Sequence, residues 1–539
     1  MHLQTDTGSN AHFSAVPTIS HSRNAFSIAE TNKSTCQFDT LFPMYHKFIM
    51  PGDELNIQFE VMARLQTQIR DLFDDLYIDL HAWYVPMRLI QTNWARFQFN
   101  AQPGGPSQDN SALTTPKITL TSLTTGFAPK SLYDYFGYPT GTLTLAADVE
   151  HINNYLPRAY NLIWNENYRD ENLQAPVVVD LDDGPDAPGD YVLKKRGKRH
   201  DRFTSCLPFA QKGTAPTLPL GTSATVKYVP GNTAAVIARK VTDQTPYGGV
   251  NPLRTTAGTG LVTDSTSTVN IFWDPNGSLF ADLATAVGAS LNSVRQSYAI
   301  QHLLEADARG GTRDVEAIQH RFGVTVPDFR LQRPEYIGGS TFTFDGIIVP
   351  QSSATGATPQ GNLASFSQTK SGLPVNHSFV EHGVFMILFS ARSNITYQEG
   401  LQRELSYRTR YDFFQPEFAN LGEVAVLNKE IYFQGGASTA TDQATFGFQE
   451  YGYENRYSLN RVTGEMRSRY ATPLDSMHMA DDYVSLPTLS SAWIESTTPI
   501  SRNIVVSAAT ADPIQLNTFT RGRIARRMPM YSVPGLKRL

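Results

Sequence analysis

A strict alternation of apolar and polar positions begins directly after Pro51-Gly52-Asp53, which is a turn signal. Every second residue from position 55 to position 61 is apolar, and polar residues mostly fill the positions between them. Because successive side chains of a strand point to opposite faces, this period of two predicts a β-strand with one face against a core. The core-facing set is predicted to be Leu55, Ile57, Phe59 and Val61.

A second strand is predicted over residues 76–85, where apolar side chains again recur at every second position. We place it beside the first strand and expect Pro86 to end it, because proline cannot donate a hydrogen bond to a ladder. The core-facing residues of this second strand include Leu76, Ile78 and Leu80.

Further strand signals lie in the second half of the chain. Residues 384–389 (VFMILF) are apolar at every position, which predicts a strand that is covered on both faces. The other signals are at residues 342–349, 379–390 and 423–433.

The remaining segments show little periodicity of two. Residues 1–35 are rich in Ser, Thr, Asn and His and are interpreted as an extended arm, whereas 151–175 and 288–322 carry helical spacing. Residues 212–285 are dominated by Thr, Gly, Ala, Ser and Val, which is typical of an inserted lobe of short strands and loops. No βαβ repeat is present, so we predict a mainly β fold, an antiparallel β-sandwich with very long inter-strand insertions that contain some helices.

This pattern gives an expected organisation. The sandwich strands are concentrated in about 45–100 and 340–520, and 101–339 is largely insertion.

Composition narrows the class of protein. Of the 539 residues, 40% are hydrophobic and 11% aromatic, which excludes a disordered chain. Only 18% are charged, against about 25% in ordinary soluble domains, so we expect much of the surface to lie against partners. The longest apolar run has six residues and residues 1–16 lack an apolar segment, so neither membrane insertion nor a secretion signal is expected. Cys36 and Cys206 are expected to be reduced thiols.

A search for catalytic, cofactor and metal motifs gives no candidate site. Zinc-protease spacing, a nucleophile elbow, a phosphate loop and a dinucleotide fingerprint are all missing from the sequence, so we predict no enzyme activity and no cofactor. His200-Asp201 lies in a basic run that is interpreted as solvated. An acidic cluster is interpreted as a solvated turn, with a calcium loop as the alternative. Its members are Asp180, Asp182, Asp183, Asp186 and Asp190.

Two basic segments stand out on a chain whose net charge is −5. The first is formed by Lys194, Lys195, Arg196, Lys198, Arg199 and Arg202. The second is the C-terminal set, which we take as the candidate DNA-binding residues, because clustered cations neutralise phosphates and aromatic rings stack on bases. Its members are Arg521, Arg523, Arg526, Arg527, Lys537 and Arg538. Two alternatives remain open for this set: a solvated tail, and a segment docked between subunits with its arginines paired to acids.

Long stretches of the chain resemble one protein family. They include PGDELNIQFEVMARLQT (51–67), LYIDLHAWYVPMRLIQTNWARF (76–97), LPRAYNLIWNENYRDENLQ (156–174), KKRGKRHDRFTSCLP (194–208), RTRYDFFQPEFANLGEVAVLNKEIY (408–432) and RMPMYSVPGL (527–536). These stretches are similar to the major capsid proteins of the Microviridae, the small icosahedral single-stranded DNA phages, in the gokushovirus branch. Residues 212–285 do not match.

The resemblance implies a viral jelly roll in a single capsid domain over residues 1–539, assembled as a T = 1 icosahedral shell around circular single-stranded DNA. It implies that residues 212–285 form a surface protrusion at the threefold axis that contributes to host attachment. The partners it implies are further copies of the chain, the genome, a small basic DNA-packaging protein, pilot and scaffolding proteins, and a receptor on the host cell surface. It places the protein in the virion capsid, assembled in the cytoplasm of the bacterial host.

One rival from another class is a carbohydrate-binding or carbohydrate-active β-sandwich protein, which is also long and rich in aromatic residues. It predicts a monomer with convergent carboxylates in a cleft, whereas the capsid hypothesis predicts large charge-poor interfaces and closed oligomers.

Overall fold

The computed structural model describes residues 22–99, 113–119, 126–141, 151–216, 225–228, 238–240, 253–256, 260–263, 271–273, 279–282, 291–309, 319, 332–350, 363–506 and 511–531. The chain divides into two compact units, one formed by Met1–Ala210 with Thr312–Leu539 and the other by Gln211–Gly311.

The strands of the described chain, in order, are β1 (Asn24–Cys36), β2 (Phe42–Ile49), β3 (Glu54–Leu65), β4 (Leu76–Pro86), β5 (Thr225–Tyr228), β6 (Ala238–Lys240), β7 (Leu253–Thr256), β8 (Gly260–Thr263), β9 (Ile271–Trp273), β10 (Leu279–Asp282), β11 (Glu335–Thr343), β12 (Asp345–Pro350), β13 (Leu363–Ser378), β14 (Gly383–Ser393), β15 (Glu423–Leu427), β16 (Thr445–Glu450) and β17 (Ile514–Arg526).

The α-helices of the described chain are α1 (Trp94–Phe99), α2 (Leu132–Tyr135), α3 (Tyr155–Asn167), α4 (Leu291–Arg309), α5 (Asn428–Ile431), α6 (Thr439–Asp442) and α7 (Ser491–Ile494).

Two antiparallel sheets form the centre of the first unit. One has the order β1-β17-β3-β13-β12 and the other β11-β4-β14-β2. If β12, an additional edge strand, is set aside, eight strands remain, and their chain order in the two sheets reads 1-8-3-6 and 5-4-7-2. This order is that of a jelly roll, a double-sheet sandwich built from two Greek keys. The predicted mainly β sandwich is therefore confirmed.

The predicted core face of β3 is confirmed residue by residue. Leu55, Ile57, Phe59 and Val61 are all buried in the core between the two sheets, whereas Asn56 on the other face is exposed. Burial of each large aliphatic side chain is worth roughly 1.5–3 kcal/mol, and alternation therefore fixes the register of this strand.

The predicted core face of β4 is also confirmed, but its place beside β3 is wrong. Leu76, Ile78 and Leu80 lie in the same core as the β3 residues, yet β4 pairs with β11 and β14 in the facing sheet. The chain crosses the core between β3 and β4, so the two strands contact through side chains and not through a ladder. Periodicity reports which face of a strand is buried but not which strand lies next to it.

The strand that was predicted to be covered on both faces is β14, and every residue of it is buried. Phe385, Ile387 and Phe389 enter the core between the sheets. Val384, Met386 and Leu388 enter a second core. That second core is filled from above the four-stranded sheet by α2 and α3, including Leu156, Tyr160 and Ile163. The four-stranded sheet is thus buried on both sides.

Several predicted boundaries need correction. Residues 24–35 do not form an arm: they belong to β1, an edge strand that pairs along its whole length with β17. The signal at 342–349 belongs to two strands, β11 and β12, which lie in different sheets and are separated by the buried Phe344. The signal at 423–433 gives β15 followed by the short helix α5.

The second unit contains the six short strands β5 to β10, which pair as β10-β5, β6-β9 and β7-β8, and the helix α4. The helix predicted over residues 288–322 is therefore present at Leu291–Arg309, and residues 310–322 lie mostly outside the described part of the chain.

Both cysteines are buried and free. Within the described segments, none of the helices is long and apolar enough to cross a membrane.

Candidate nucleic-acid interface

The five-stranded sheet has one face against the core and one face that is open. Along β17, Leu516, Thr518 and Thr520 are buried, while Phe519, Arg521 and the other residues of the opposite phase point outward. The sequence folds this way because the apolar side chains of β17 have the same period of two as those of β3 beside it. We call the outward side of β1, β17, β3 and β13 the open face.

Cations outnumber carboxylates on the open face. The cations are Lys33, Arg64, Lys370, Arg521 and Arg523, and all five are exposed. Glu60 lies between two of them, with its carboxylate 2.8 Å from Arg521 and 3.7 Å from Lys370. Arg523 makes no ion pair with any described residue.

A shallow trough of about 610 Å³ crosses the open face next to Arg521. Asn56 and Gln58 from β3 and Asn376 from β13 line it, so amide groups lie beside a guanidinium. Gly522 lets β17 lie close to β3 at this point, because a Cβ there would overlap the backbone oxygen of Asn56. Amides and guanidinium groups are the donors that pair with base edges and phosphates.

The sequence that forms this open face is similar to those of known proteins. The sequence model of the family described as "Capsid protein (F protein)" matches residues 14–536. The chain belongs to this family of phage capsid proteins.

Three relatives carry the name capsid protein VP1. The one from Bdellovibrio phage phiMH2K is 41% identical over 503 residues, which cover 92% of both chains. The one from Chlamydia phage 1 is 35% identical and covers 98% of both chains. The one from Spiroplasma virus 4 is 34% identical over 525 residues, 93% of this chain and 92% of the relative. The predicted resemblance to the Microviridae capsid proteins is confirmed, and this capsid protein is a structural protein of the virion and not an enzyme.

The candidate DNA-binding residues of this capsid protein differ in where they lie. Arg521 and Arg523 are on the open face. Arg527 is exposed just after β17. Lys537 and Arg538 lie outside the described residues.

Arg526 has a structural role. Its Nε donates to the buried Asp53 at 3.0 Å, and its guanidinium also donates to the backbone oxygen of Phe48 at 2.7 Å. Asp53 in turn accepts a hydrogen bond from the backbone of Met50 at 2.9 Å. Arg526 therefore fixes the turn before β3 through an ion pair within the chain.

The first basic segment is only partly the expected solvated run, because Lys195 is exposed whereas other cations of the segment are buried. Lys198 and Arg202 are 8% and 4% exposed. Lys198 lies 3.3 Å from Asp481, and Arg202 lies 3.6 Å from Glu430, an acid that is itself buried. Lys198 and Arg202 are buried because acids from distant parts of the chain neutralise them. Arg196 shows the same pattern through its ion pair with Asp79.

His200-Asp201 is likewise a structural element. The Asp201 carboxylate accepts hydrogen bonds from the backbones of Phe203 and Thr204 and from the Tyr397 hydroxyl at 2.6 Å. His200 is exposed and takes no part in this network.

The acidic cluster is only partly the solvated turn that was favoured. Asp186 is 2% exposed and pairs with Arg158 of α3, which is completely buried. Arg158 also donates to the backbone oxygen of Asp182 at 2.8 Å, and the Asn93 amide donates to Asp183 at 3.0 Å. The carboxylates of Asp183 and Asp186 are therefore held by protein donors. No group of three or more His, Cys, Asp or Glu side chains in the described part of the chain is placed to hold a metal ion.

Sequence reasoning missed Lys33, Lys370 and the amides that complete the open face. The sequence indicated these residues only through the alternation of inward and outward positions, since each occupies an outward position of its strand. Their contribution to one surface depends on the pairing of β1, β17, β3 and β13, which no local pattern reports.

Proposed function

We propose that this chain is the major capsid protein of a T = 1 icosahedral shell that encloses a circular single-stranded DNA genome. The observation that supports a shell is the family match over nearly the whole chain, since the relatives are named as capsid proteins. The low charge content and the exposed apolar side chains support extensive contacts between copies, because such patches mark interaction surfaces.

One such patch comes after β14 in the chain. The segment from residue 405 to residue 421 exposes large apolar side chains to solvent in the single chain. They are Leu405, Tyr411, Phe413, Phe414 and Leu421. We expect this segment to be covered by a neighbouring copy in the shell.

Electron microscopy of the expressed full-length chain tests the shell. Closed particles of uniform size are expected, and their size gives the number of copies. A protein that stays monomeric and hydrolyses or binds glycans would contradict the proposal and restore the carbohydrate alternative.

The open face is the surface that we propose for the genome. It is the exposed, cation-rich side of a sheet whose other side is buried, and its trough offers donors for phosphates and bases. A net-negative protein can hold a polyanion only where its cations are segregated. Phe519, which is 37% exposed between Glu60 and Arg521, adds an aromatic ring for base stacking.

The double variant Arg521→Gln with Arg523→Gln tests this surface. It removes two exposed cations without touching the buried face of β17. We expect weaker binding of single-stranded DNA and a slope of log K against log salt that is shallower by about 0.7 for each lost phosphate contact. The matched control is Arg461→Gln, an exposed arginine in another segment. Shells of the double variant with normal DNA content and unchanged salt dependence would show that the open face does not hold the genome.

We also propose that the unit Gln211–Gly311, which includes the segment 212–285, protrudes at the threefold axis and contributes to host attachment. Its compactness as a unit and its Thr-rich and Gly-rich composition support a lobe that tolerates change. A small basic packaging protein, pilot and scaffolding proteins and a host receptor complete the proposed partners, and assembly is proposed to take place in the host cytoplasm.

A further inference from the structure

A second cationic surface lies on the four-stranded sheet, on the opposite side of the sandwich from the open face. It is a cavity of about 580 Å³. His81 and Trp83 of β4 and Tyr336 of β11 form one wall, and residues 167–170 and 196–200 form the others. We call it the cationic pocket. Its volume is within the roughly 300–1,000 Å³ of small-molecule sites.

Five cations line the cationic pocket, and part of their charge is not balanced. They are Arg169, Arg196, Lys198, Arg199 and Arg392. Asp79 pairs with both Arg196 and Arg392, and Asp481 pairs with Lys198. Asp170, the carboxylate on the wall, accepts hydrogen bonds from the backbones of Asn172 and Leu173.

Arg169 and Arg199 are the cations that remain without a carboxylate: Arg169 donates to the backbone oxygen of Gln174 at 2.9 Å, and Arg199 lies 4.2 Å from the centre of the Tyr77 ring. Neither forms an ion pair with a described residue, and a buried nitrogen of each has no hydrogen-bond partner within the described chain. Because buried donors are normally satisfied, such nitrogens favour an acceptor supplied from outside.

Burial is the main cause that lowers the pKa of two neighbouring groups, and nearby arginines lower them further. Burial, together with the charges of Arg196 and Arg199, lowers the pKa of Arg392 to about 10. Burial and the charge of Arg196 lower the pKa of His81 to about 4. His81 is therefore neutral at pH 7, and an anion entering the pocket would relieve the repulsion among the arginines.

Aromatic rings accompany these cations. The rings of Trp83 and Tyr336 lie 4.9 Å apart, and His81 stacks on Tyr168 at 5.9 Å. Tyr336 is 53% exposed within the described part of the chain, so part of its ring is accessible to a planar molecule. Base–aromatic stacking of this kind tolerates any base.

We propose that the cationic pocket binds a deoxynucleotide, with its phosphate at Arg169 and Arg199 and its base against Tyr336. The ligand is either one nucleotide of a DNA strand or a free nucleotide, since the two present the same phosphate and base. This proposal does not depend on the open face, which lies on the other sheet.

Calorimetric titration of the purified full-length chain tests the ligand class. We expect dAMP to bind, and deoxyadenosine and inorganic phosphate to bind at least tenfold more weakly, since each lacks one of the two recognised groups. Equal affinity for inorganic phosphate and dAMP would overturn the proposal in favour of a simple anion site. Absence of binding by all three would overturn it as well.

Variants locate the site. Arg199→Gln and Tyr336→Ala should each weaken dAMP binding about tenfold or more, since each removes a charged hydrogen bond or a stacking face. Arg70→Gln, an exposed arginine away from the pocket, should bind dAMP as the native chain does. If Arg199→Gln fails to fold, Arg169→Gln takes its place. Unchanged affinity in the pocket variants would overturn the proposal.

Two further arms identify the source of the nucleotide. A decamer of deoxythymidylate that competes with dAMP indicates a DNA strand, and one that does not compete indicates a free nucleotide; either result supports the site. Arg521→Gln with Arg523→Gln should leave dAMP affinity unchanged, which separates this site from the open face.

An acidic segment of a second copy is the competing occupant. If the native chain binds no nucleotide and the pocket variants fail to assemble, the pocket is occupied by a second copy, and the proposal is overturned.

Discussion

Asp79 is a single buried carboxylate on which three segments of the first unit depend. It pairs with Arg196 and with Arg392, whose guanidinium lies 2.9 Å away, and it accepts a hydrogen bond from the Thr341 hydroxyl at 2.7 Å. Burial by itself raises the pKa of Asp79, but the charge of Arg196 and these other contacts lower it to about 2. The ionised form is therefore the one that the fold stabilises.

This depressed pKa gives a pH dependence with a definite sign. The stability that Asp79 contributes is present above its unfolded pKa of 3.8 and is lost as the pH falls through the folded value of about 2. The shift is worth about 2 kcal/mol. Asp79→Asn should lower the free energy of unfolding at pH 7 by about 3–5 kcal/mol, because it leaves Arg392 buried without its carboxylate.

Denaturant unfolding of the unassembled chain at pH 7, 4 and 2 measures both effects. The variant should lose less stability than the native chain between pH 4 and pH 2. Asp345→Asn, which changes an exposed carboxylate, serves as the control. An unchanged acid dependence in Asp79→Asn would assign the acid sensitivity to other carboxylates.

The register of β3 gives a second prediction at the residue scale. Ile57 is 2% exposed, so Ile57→Asp would place an unpaired carboxylate in the core and should abolish soluble protein. The neighbouring Gln58→Asp points to the open face and should leave soluble yield and thermal stability nearly unchanged. Equal tolerance at both positions would show that the register of β3 is wrong.

At the scale of elements, Arg158 ties α3 to the loop 180–190 through ion pairs with Asp186 and Asp182. Because Arg158 is fully buried and already holds Asp186, we expect millimolar calcium to leave the melting temperature of the native chain unchanged. Asp186→Ala should lower stability by about 3–5 kcal/mol, since it leaves a buried guanidinium with only the exposed Asp182 carboxylate, 3.5 Å away. Thermal unfolding with and without calcium measures both. A rise in melting temperature with calcium would revive the ion-binding alternative for this loop.

Single elements were predictable from sequence where one local pattern determined their burial. The alternation in β3 and the continuous apolar run in β14 each specified the faces that the structure buries. β1 was missed because its sequence is mostly Ser, Thr, Asn and Lys, and its strand conformation comes from pairing with β17. The basic segment at residues 194–202 was misjudged for a related reason, since the acids that neutralise it come from β4, residue 430 and residue 481.

The candidate site was predictable only in part. Arg521 and Arg523 were found from charge alone, but the residues that surround them belong to strands hundreds of positions away. Arg526 carried the same charge signal and yet proves to be committed to Asp53. Charge patterning identifies cations, whereas the tertiary fold decides which of them remain available to a ligand.

At the scale of the whole molecule, the unit Gln211–Gly311 is the feature to test. Replacing residues 212–285 by a short linker that preserves chain closure should give particles that still form, because the eight sandwich strands lie in the other unit. Infectivity should fall, since the proposed attachment lobe is gone. Particle counts by electron microscopy and plaque counts measure the two separately. Failure to form particles would make this unit part of the shell.

The position of β17 has a consequence for synthesis. It lies between β1 and β3, with Asn24 opposite Arg526. The partner strand of β1 is therefore translated about five hundred residues after β1 itself. Until then the nascent chain has two unpaired strand edges and no closed sandwich, a state prone to aggregation. A ribosome that stops early therefore releases a chain without the finished sheet, and such a fragment lacks the surface needed to enter a growing particle. The topology makes complete translation a condition of incorporation.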